Sequence, residues 1–388
     1  MINIGVFFGG TSVEHEVAVI TAQQAISQLL EMDQYKVIPI YISKDNNWYT
    51  GDYLLEIEHF RDLKKVISES HRCHVVKADK CAHLIHAEMK LFKNPYICDI
   101  DIAFPIIHGT GGEDGNLQGF LEHMDIPYVG CNVLAASLTM DKIASKLFLQ
   151  SSGIRVVEGE WFYTHYWNQY ASSIIEDLEK KLSYPMIVKP ADIGSSVGVK
   201  TAKTRSALIE AIDFAKQFST KILVEKMLDD MREINISVLG DSEKLKLSVC
   251  EEPLSASEFL TYEDKYINEA GSKGMSSAKR QIPAHLSESL KNEIEHMAAE
   301  AFIALDCAGV SRIDFMIDQK TNLPYINEFN TIPGSLSFYL WEATHVTFKQ
   351  MLEEMIDAAY RSYRRKNNLI RVNSLNILSK ADLSGIKK

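Results

Sequence analysis

Residues 309–334 read GVSRIDFMIDQKTNLPYINEFNTIPG. Two short apolar segments, 310–317 and 323–326, are joined by a polar turn, and this pattern predicts a β-hairpin. Because side chains alternate along a strand, Arg312 and Asp314 are expected on one face of the first strand, with apolar side chains on the other. The hairpin should therefore carry a polar face and an apolar face.

Glu328 and Asn330 lie two residues apart at the end of the second strand, so they also share a face. The hairpin would bring them to Asp314 as a cluster of oxygen ligands beside the guanidinium of Arg312. Oxygen ligands suit magnesium, which proteins usually hold with one or two carboxylates and substrate phosphates. The alternative is an edge hairpin with solvated acids. The position of these acids after apolar strands and beside an arginine favours the metal site.

The hairpin resembles the metal-binding hairpin of the ATP-grasp ligases, in particular the D-alanine–D-alanine ligase family. The family signature Arg-x-Asp, followed by Asn-Glu-x-Asn-Thr-x-Pro-Gly, is present as Arg312, Asp314 and residues 327–334. This resemblance implies an α/β protein with the ATP-grasp fold: an N-terminal parallel-sheet (pre-ATP-grasp) domain, a small central α+β domain and a C-terminal α+β domain. It also implies ATP and two Mg²⁺ or Mn²⁺ ions, held by Asp314, Glu328 and Asn330.

The composition is that of an ordinary globular protein, with 46% hydrophobic and 24% charged residues among 388. At about 150 residues per domain, this length predicts two or three domains. We expect the divisions 1–130, 131–220 and 221–365, followed by a basic polar tail, 366–388. The tail is expected either to be disordered or to pack on a neighbouring subunit of a homodimer.

Several functional classes are disfavoured by charge and patterning. The net charge of −11 argues against broad nucleic-acid or membrane-surface binding. No apolar run approaches the roughly 18–20 residues of a membrane span, and the N-terminus lacks the basic region of a signal peptide. The six cysteines are scattered without a CxxC pair, which predicts reduced thiols and a cytoplasmic location. The histidine- and cysteine-rich segment 71–86 matches no zinc spacing, and its alternation suggests a hairpin strand.

The N-terminal third predicts strands at 2–8, 36–42 and 99–107 alternating with helical sequence, which is typical of a parallel sheet. A glycine-rich turn, Gly9-Gly10-Thr11-Ser12, follows the first strand and could hold a phosphate. It lacks the full GxGxxG pattern of dinucleotide sites. The resemblance assigns Glu14 to the amino group of the first substrate. An acid favoured at a helix start by the helix dipole is the alternative.

The strand ending near residue 107 runs into HGTGGEDGNLQG, residues 108–119. Open α/β sheets bind ligands at the carboxyl ends of their strands, which makes this segment a candidate binding loop. A flexible turn is the alternative. The segment resembles the His-Gly-x-x-Gly-Glu-Asp-Gly sequence of the same ligase family, and this implies that His108 and Glu113 face the amino-acid site.

A helix is predicted from Asn132 through Leu149, and it contains Met140-Asp141-Lys142. A lone lysine on a helix usually lies on a solvated face. The family uses a lysine in this Met-Asp-Lys position on ATP phosphates, so the resemblance assigns Lys142 to them.

A strand at 184–188 leads into Lys189 and a glycine- and serine-rich turn at 191–196. Such a turn between antiparallel strands can fold over phosphates, although the Walker sequence GxxxxGK[ST] is absent. An ordinary hairpin turn is the alternative. The segment resembles the ATP-grasp flap, which assigns Lys189 to the phosphates, Ser196 to the flap backbone and Ser195 to the substrate side.

Residues 222–228 predict a strand that enters a hinge. In the family, this segment contacts adenine through backbone groups, which implies Glu225, Lys226 and Leu228. A later glutamate binds the ribose hydroxyls, and this would be Glu233. The spacing before Glu233 is one residue longer than the commonest family spacing.

A polar stretch, 255–278, has no periodicity, and loops of this length are usually lids or disordered segments. The resemblance implies a closing loop in which Lys265 reaches the γ-phosphate and Tyr266 bonds to Ser195. The alternative is a mobile surface loop without chemistry.

The resemblance implies ATP-dependent joining of two D-alanine molecules through an acyl phosphate, for peptidoglycan precursor synthesis. Glu14, Ser195, Tyr266 and Arg312 would be catalytic, with Arg312 stabilising the oxyanion formed when the amine attacks. The second substrate would lie against Gly334, Tyr339 and Leu340.

The segment after Gly334 departs from the family pattern, because Tyr339 stands where a serine usually holds the carboxylate of the second substrate. Three functions therefore remain open. They are a D-alanine–D-alanine ligase, a ligase of the same fold with another acceptor such as D-serine or D-lactate, and a nucleotide-binding module without catalysis.

Overall fold

The computed structural model describes residues 1–78, 81–88, 94–228, 230–254 and 280–370. Its first sheet has seven strands in the spatial order β6-β5-β4-β3-β2-β1-β7. In chain order the strands are β1 Ile2–Gly9, β2 Tyr35–Ile42, β3 Trp48–Thr50, β4 His71–Lys77, β5 Ala82–His86, β6 Tyr96–Ile100 and β7 Ile102–Ile106. The accompanying α-helices are α1 His15–Leu29, α2 Leu63–Glu69 and α3 Asn116–Met124, and short 3-10 turns lie at Asp52–Leu55 and Ile57–Arg61.

The first sheet is mixed and not wholly parallel. Strand β1 pairs in parallel with β2 and β7, whereas β3, β4, β5 and β6 add on as antiparallel strands. The segment 99–107, predicted as one strand, is two strands separated at Asp101. The carboxylate of Asp101 accepts the backbone N–H of Asn3 at 2.7 Å and so ends the first of them. The hairpin strand predicted around residue 73 is confirmed as β4.

The second sheet has four antiparallel strands in the order β10-β9-β11-β8. They are β8 Gly159–Tyr163, β9 Met186–Pro190, β10 Lys200–Ala202 and β11 Lys221–Lys226. The helices of this region are α4 Val133–Met140, α5 Lys142–Ser151, α6 Thr164–Lys181 and α7 Arg205–Ala215.

The helix predicted from Asn132 to Leu149 is wrong as a single element, because the chain breaks it at Asp141. The Asp141 side chain accepts the backbone N–H groups of Ile143 and Ala144 at 3.0 and 3.1 Å. Aspartate favours this capping position over a helix interior. The break makes Lys142 the first residue of α5.

The third sheet has the order β13-β12-β16-β17. Its strands are β12 Met231–Gly240, β13 Leu245–Leu247, β16 Gly309–Asp318 and β17 Leu323–Asn330, and a two-stranded ribbon of β14 Glu252–Pro253 and β15 Arg280–Gln281 lies beside it. A 3-10 turn covers Gly334–Ser337, and the helices are α8 Glu288–Ala304, α9 Phe338–Ala343 and α10 Phe348–Asn367.

The predicted hairpin is confirmed as β16 and β17, with Ile313, Phe315 and Ile317 buried and Arg312 and Asp314 on the half-buried face. A capping box begins α10, with Thr347 and Gln350 bonded reciprocally.

Helix α10 closes the molecule by packing its apolar face, including Met351 and Leu352, into the same core as Ile4 and Phe8 of β1. Helix α10 is thereby joined to strand β1, which fixes the first sheet against the hairpin. Among the helices that the structure describes, none combines the length and the apolar composition of a membrane span.

Candidate active site

One large cleft lies where the loops of all three sheets meet. Nearly every site residue that the sequence predicts within the described ranges lines it. These residues are Glu14, His108, Glu113, Lys142, Lys189, Ser195, Ser196, Glu225, Lys226, Leu228, Glu233, Arg312, Asp314, Glu328, Asn330, Gly334 and Tyr339. Leu340 is fully buried behind the cleft wall. Lys265 and Tyr266 lie outside the described residues.

The acids of the hairpin face one another across its two strands. Asp314 pairs directly with Glu328, and Arg312 pairs with Asn330. The guanidinium of Arg312 donates two hydrogen bonds of 2.7 Å, one to each oxygen of Asp314. The Asn330 amide donates to Asp314 at 3.0 Å. This bidentate arginine–carboxylate geometry fixes the orientation of both side chains and also pairs their charges.

A β-bulge between Asp314 and Phe315 produces this arrangement. Phe315 pairs with Ile326 and Asp314 with Glu328, so Asn327 is the extra residue. Two carboxylates and an amide then point to one side of the hairpin, and these hard oxygen donors fit a divalent cation such as Mg²⁺ or Mn²⁺.

Two buried lysines are paired with Glu225. Lys189 Nζ lies 2.6 Å from Glu225 Oε2 and donates to Asn327 Oδ1 at 3.0 Å. Lys146 forms a second ion pair with the same carboxylate. Glu225 is fully buried, and burial alone would raise its pKa, but the charges of Lys146 and Lys189 outweigh burial and lower its pKa to about 2. The Glu225 side chain is therefore an ionised counter-charge for two lysines.

Lys146 was missed by the sequence reasoning. It lies four residues after Lys142 on α5, so the two side chains share a helix face. That spacing could have identified it once Lys142 was chosen. Lys142 itself donates to the carbonyl oxygen of Ile193 at 2.7 Å, which ties the start of α5 to the flap turn.

Glu14 lies where the first loop meets the flap. The Ser195 hydroxyl donates a hydrogen bond to its carboxylate. Two glycines permit this approach, because a Cβ at Gly109 or Gly194 would lie 2.9 or 3.1 Å from Glu14 Oε2. Ser195 and Ser196 have φ of 53° and 58°, in the left-handed region that few non-glycine residues occupy. The flap is thus held over the first loop in a strained turn.

His108 and Glu113 connect the loop after β7 to the segment after the hairpin. His108 Nε2 lies 3.0 Å from the Thr21 hydroxyl, which also accepts the N–H of Ser335 at 3.0 Å. Glu113 accepts the N–H of Ile332 at 2.9 Å. Burial lowers the pKa of His108 to about 4. Burial, followed by the charge of Glu14, raises the pKa of Glu113 to about 7.

Tyr339 contacts two further cleft residues that were missed, Glu251 and Arg280. Its hydroxyl donates to Glu251 at 3.0 Å, and Arg280 lies over its ring at 4.3 Å from the centroid. Neither residue belongs to a sequence pattern, because Glu251 follows a short irregular segment and Arg280 follows the long polar stretch. Only the fold brings them to Tyr339.

Comparison with known proteins identifies the family that this chain resembles. A family model described as D-ala D-ala ligase N-terminus matches residues 3–131, and one described as D-ala D-ala ligase C-terminus matches residues 148–357. The chain is 40% identical over 366 residues to the D-alanine–D-alanine ligase of Thermosipho melanesiensis, covering 94% of this chain and 96% of the relative. The chain belongs to the D-ala D-ala ligase family.

Another relative in the D-ala D-ala ligase family and two solved structures are also similar to this chain over nearly its whole length. The D-alanine–D-alanine ligase of Natranaerobius thermophilus is 39% identical over 370 residues, covering 94% of this chain and 97% of that protein. The solved structure of the Coxiella burnetii D-alanine–D-alanine ligase has a TM-score of 0.78 at 26% identity, covering 98% and 99% of the two chains. VanG D-Ala:D-Ser ligase from Enterococcus faecalis has a TM-score of 0.76 at 29% identity, covering 92% and 99%.

The predicted ATP-grasp fold and the predicted family are therefore confirmed. Members of this family are ATP-dependent ligases that form a peptide bond, so the chain is an enzyme of that class.

Proposed function

We propose that this enzyme joins two molecules of D-alanine at the expense of ATP, and so supplies the dipeptide for peptidoglycan precursors. The observation that carries the proposal is the acid pair Asp314–Glu328, held beside Arg312 in the same cleft as the buried Lys189–Glu225 pair. We place the enzyme in the cytoplasm and expect it to act as a homodimer.

The nucleotide would lie between the second and third sheets. Asp314, Glu328 and Asn330 would hold two Mg²⁺ or Mn²⁺ ions, which would neutralise charge on the phosphates when bound. Lys142 and Lys189 line the same cleft and would contact the phosphates. The residues assigned to the rest of the nucleotide are Glu225, Lys226 and Leu228 for adenine, Glu233 for ribose, Ser196 for the flap and Lys265 for the γ-phosphate.

The first amino acid would bind by its amino group to Glu14, next to His108 and Glu113. Its carboxylate oxygen would attack the γ-phosphorus, the bond to the bridging oxygen of ADP would break, and an acyl phosphate would form. Phosphoryl transfer depends mainly on positioning and charge neutralisation, which the lysines and the hairpin supply. Ser195, bonded to Glu14, and Tyr266 would keep the flap closed so that water does not hydrolyse the acyl phosphate.

The amine of the second amino acid would then attack the acyl carbon. The tetrahedral oxyanion would form beside Arg312, whose guanidinium is fixed by Asp314. Phosphate leaves, the amine loses its proton, and the dipeptide remains against Gly334 and Tyr339, which line the cleft in front of the buried Leu340.

The three-part division of the chain belongs to the same proposal, with units 1–130, 131–220 and 221–365 and the tail 366–388. Each unit contains most of one sheet. Because β11 pairs within the second sheet, a boundary just after residue 226 would keep that sheet together.

A substrate panel tests the function directly. Purified enzyme, ATP and Mg²⁺ are supplied with D-alanine alone, or with D-alanine and one of D-serine or D-lactate, and products are identified by mass spectrometry. D-alanyl-D-alanine from D-alanine alone supports the proposal.

A product only with another acceptor would favour the second candidate, a ligase with a different second substrate. Two observations favour this candidate: Tyr339 stands at the position of the family serine, and a D-Ala:D-Ser ligase is among the similar structures. If none of the amino acids in the panel stimulates phosphate release from ATP, both candidate functions are contradicted.

A further inference from the structure

Glu251, Arg280 and Tyr339 form a cluster in the cleft, and of these three side chains the proposed reaction uses only Tyr339. Glu251 is almost fully buried and accepts hydrogen bonds from Tyr339 at 3.0 Å and from Asn235 at 3.1 Å. Arg280 Nη1 lies 3.0 Å from the other oxygen of Glu251. The Arg280 guanidinium also stacks on the Tyr339 ring, with its carbon 4.3 Å from the ring centroid.

The cluster is positioned by the secondary structure around it. Arg280 lies on β15 and pairs with Pro253 of β14. The backbone of Glu251 bridges to Asn235 of β12 through two hydrogen bonds of 2.9 Å. Tyr339 lies on α9. The Arg280 guanidinium is held at one face by the Tyr339 ring and at one nitrogen by the Glu251 carboxylate. It therefore has little freedom to turn, which preorganises it for recognition.

The position of Arg280 in the cleft, relative to Arg312, indicates which group of a substrate its guanidinium binds. The cleft carries Arg312 beside the position where the acyl phosphate would form, and Arg280 lines the same cleft next to Tyr339. An acceptor amino acid places its amine at the acyl carbon and its carboxylate a few ångströms away. A planar guanidinium is the side chain best suited to a carboxylate. The ion pair with Glu251 anchors Arg280 and offsets the cost of burying its charge.

We propose that Arg280 binds the α-carboxylate of the acceptor amino acid and thereby determines that the acceptor carries a free carboxylate. In this arrangement Tyr339 and Glu251 are positioning residues: the ring supports the guanidinium and the carboxylate orients it. The inference rests on the proposed function and adds to it the residue that selects the second substrate.

Acceptor competition tests this assignment. The full-length enzyme receives ATP, Mg²⁺ and an equal mixture of D-alanine and D-alaninamide, and mass spectrometry gives the ratio of dipeptide to dipeptide amide. The amide lacks the charge that Arg280 would bind. Wild type should favour the free acid strongly, and Arg280→Gln should reduce this ratio by about ten- to a hundredfold, the range expected for a hydrogen-bonded charge. The Michaelis constant for ATP should stay within twofold.

Two further variants separate recognition from structure. Tyr339→Phe keeps the ring that supports Arg280 and should retain most of the preference, whereas Tyr339→Ala should lose it. Arg232→Gln is the matched control, because Arg232 forms a similar pair with Glu252 in the neighbouring strand without lining the cleft. Its product ratio should equal that of wild type.

The outcomes are distinct. Wild-type enzyme that makes no D-alanyl dipeptide would overturn the proposed function together with this inference. Wild-type dipeptide with an unchanged product ratio in Arg280→Gln would overturn the inference alone. If Arg280→Gln is inactive, Arg280→Lys decides by the same ratio, and a ratio equal to wild type in that variant counts against selection by the guanidinium.

Discussion

His108 and Glu113 belong to the same loop, and burial shifts their pKa values in opposite directions, to about 4 and about 7. Burial disfavours the charged form of each group, so the imidazole loses its proton more readily and the carboxyl keeps it longer. Each shift is a difference between folded and unfolded chain, and it therefore makes stability depend on pH.

The two contributions should oppose each other over one pH range. Stability from neutral His108 is complete above its unfolded pKa of 6.5 and is lost as pH falls towards about 4. Stability from protonated Glu113 is complete below its unfolded pKa of 4.5 and is lost as pH rises towards about 7. Each shift corresponds to about 3 kcal/mol. Wild-type stability should therefore change less between pH 4.5 and 6.5 than that of either single variant.

Urea unfolding of wild type, His108→Gln and Glu113→Gln at several pH values separates these terms. The advantage of wild type over His108→Gln should shrink as pH falls, and its advantage over Glu113→Gln should shrink as pH rises. Parallel curves for all three proteins would show that neither group has a shifted pKa.

Replacing Glu225 should be among the most destabilising changes in the cleft. Glu225→Gln leaves the charges of Lys146 and Lys189 buried without their counter-ion, and breaking a buried ion pair costs about 3–5 kcal/mol. Adding Lys146→Met should recover part of the loss, because one uncompensated charge is then removed. Denaturant unfolding measures both effects.

Glu160→Gln is a suitable control, since Glu160 pairs with Lys181 on the surface. Exposed ion pairs contribute little, so this variant should unfold close to wild type. A Glu225→Gln protein as stable as the control would mean that Glu225 is not ionised in the folded enzyme.

The hairpin guanidinium should be sensitive even to a change that keeps its charge. Lysine at position 312 cannot donate two parallel bonds to Asp314, so the positive charge would no longer be fixed beside the acyl carbon. We expect Arg312→Lys to lower kcat about a hundredfold or more while ATP still binds. Steady-state phosphate release and nucleotide titration give the two values, and a kcat within twofold of wild type would remove Arg312 from the chemistry.

The acid pair should be needed for turnover and not for folding. Glu328→Gln keeps the shape of the side chain and removes one anionic ligand, so turnover should be abolished at every Mg²⁺ concentration. The circular dichroism spectrum should match that of wild type. Normal turnover in this variant would remove the metal assignment.

Much of the site was predictable because its residues occur in short, ordered motifs. Arg312 and Asp314 share a strand face by alternation alone, and His108 follows a strand end where binding loops are expected. The parts that were missed depend on contacts between distant segments. Glu225 was predicted to contact adenine through its backbone. Only the packing of α5 against β11 showed that its side chain neutralises two lysines.

The secondary structure was likewise predictable only where it follows from local sequence. Apolar strands and the capping box of α10 follow from local sequence. The breaks at Asp101 and Asp141 do not, because each depends on one carboxylate that accepts backbone N–H groups in place of the regular pattern. Aspartate within an apolar segment was the available signal, since its short side chain competes for backbone donors.

The extra residue at Asn327 has a consequence for how the hairpin tolerates genetic change. Because Ile326 pairs with Phe315 and Glu328 with Asp314, loss of Asn327 alone would keep both pairs in register and remove only the bulge and the hydrogen bond from Lys189. Loss of Phe329 would instead place Asn330 opposite Ile313 and turn its side chain to the other face, since side-chain direction has a period of two. Loss of one codon should therefore be more harmful at position 329 than at position 327.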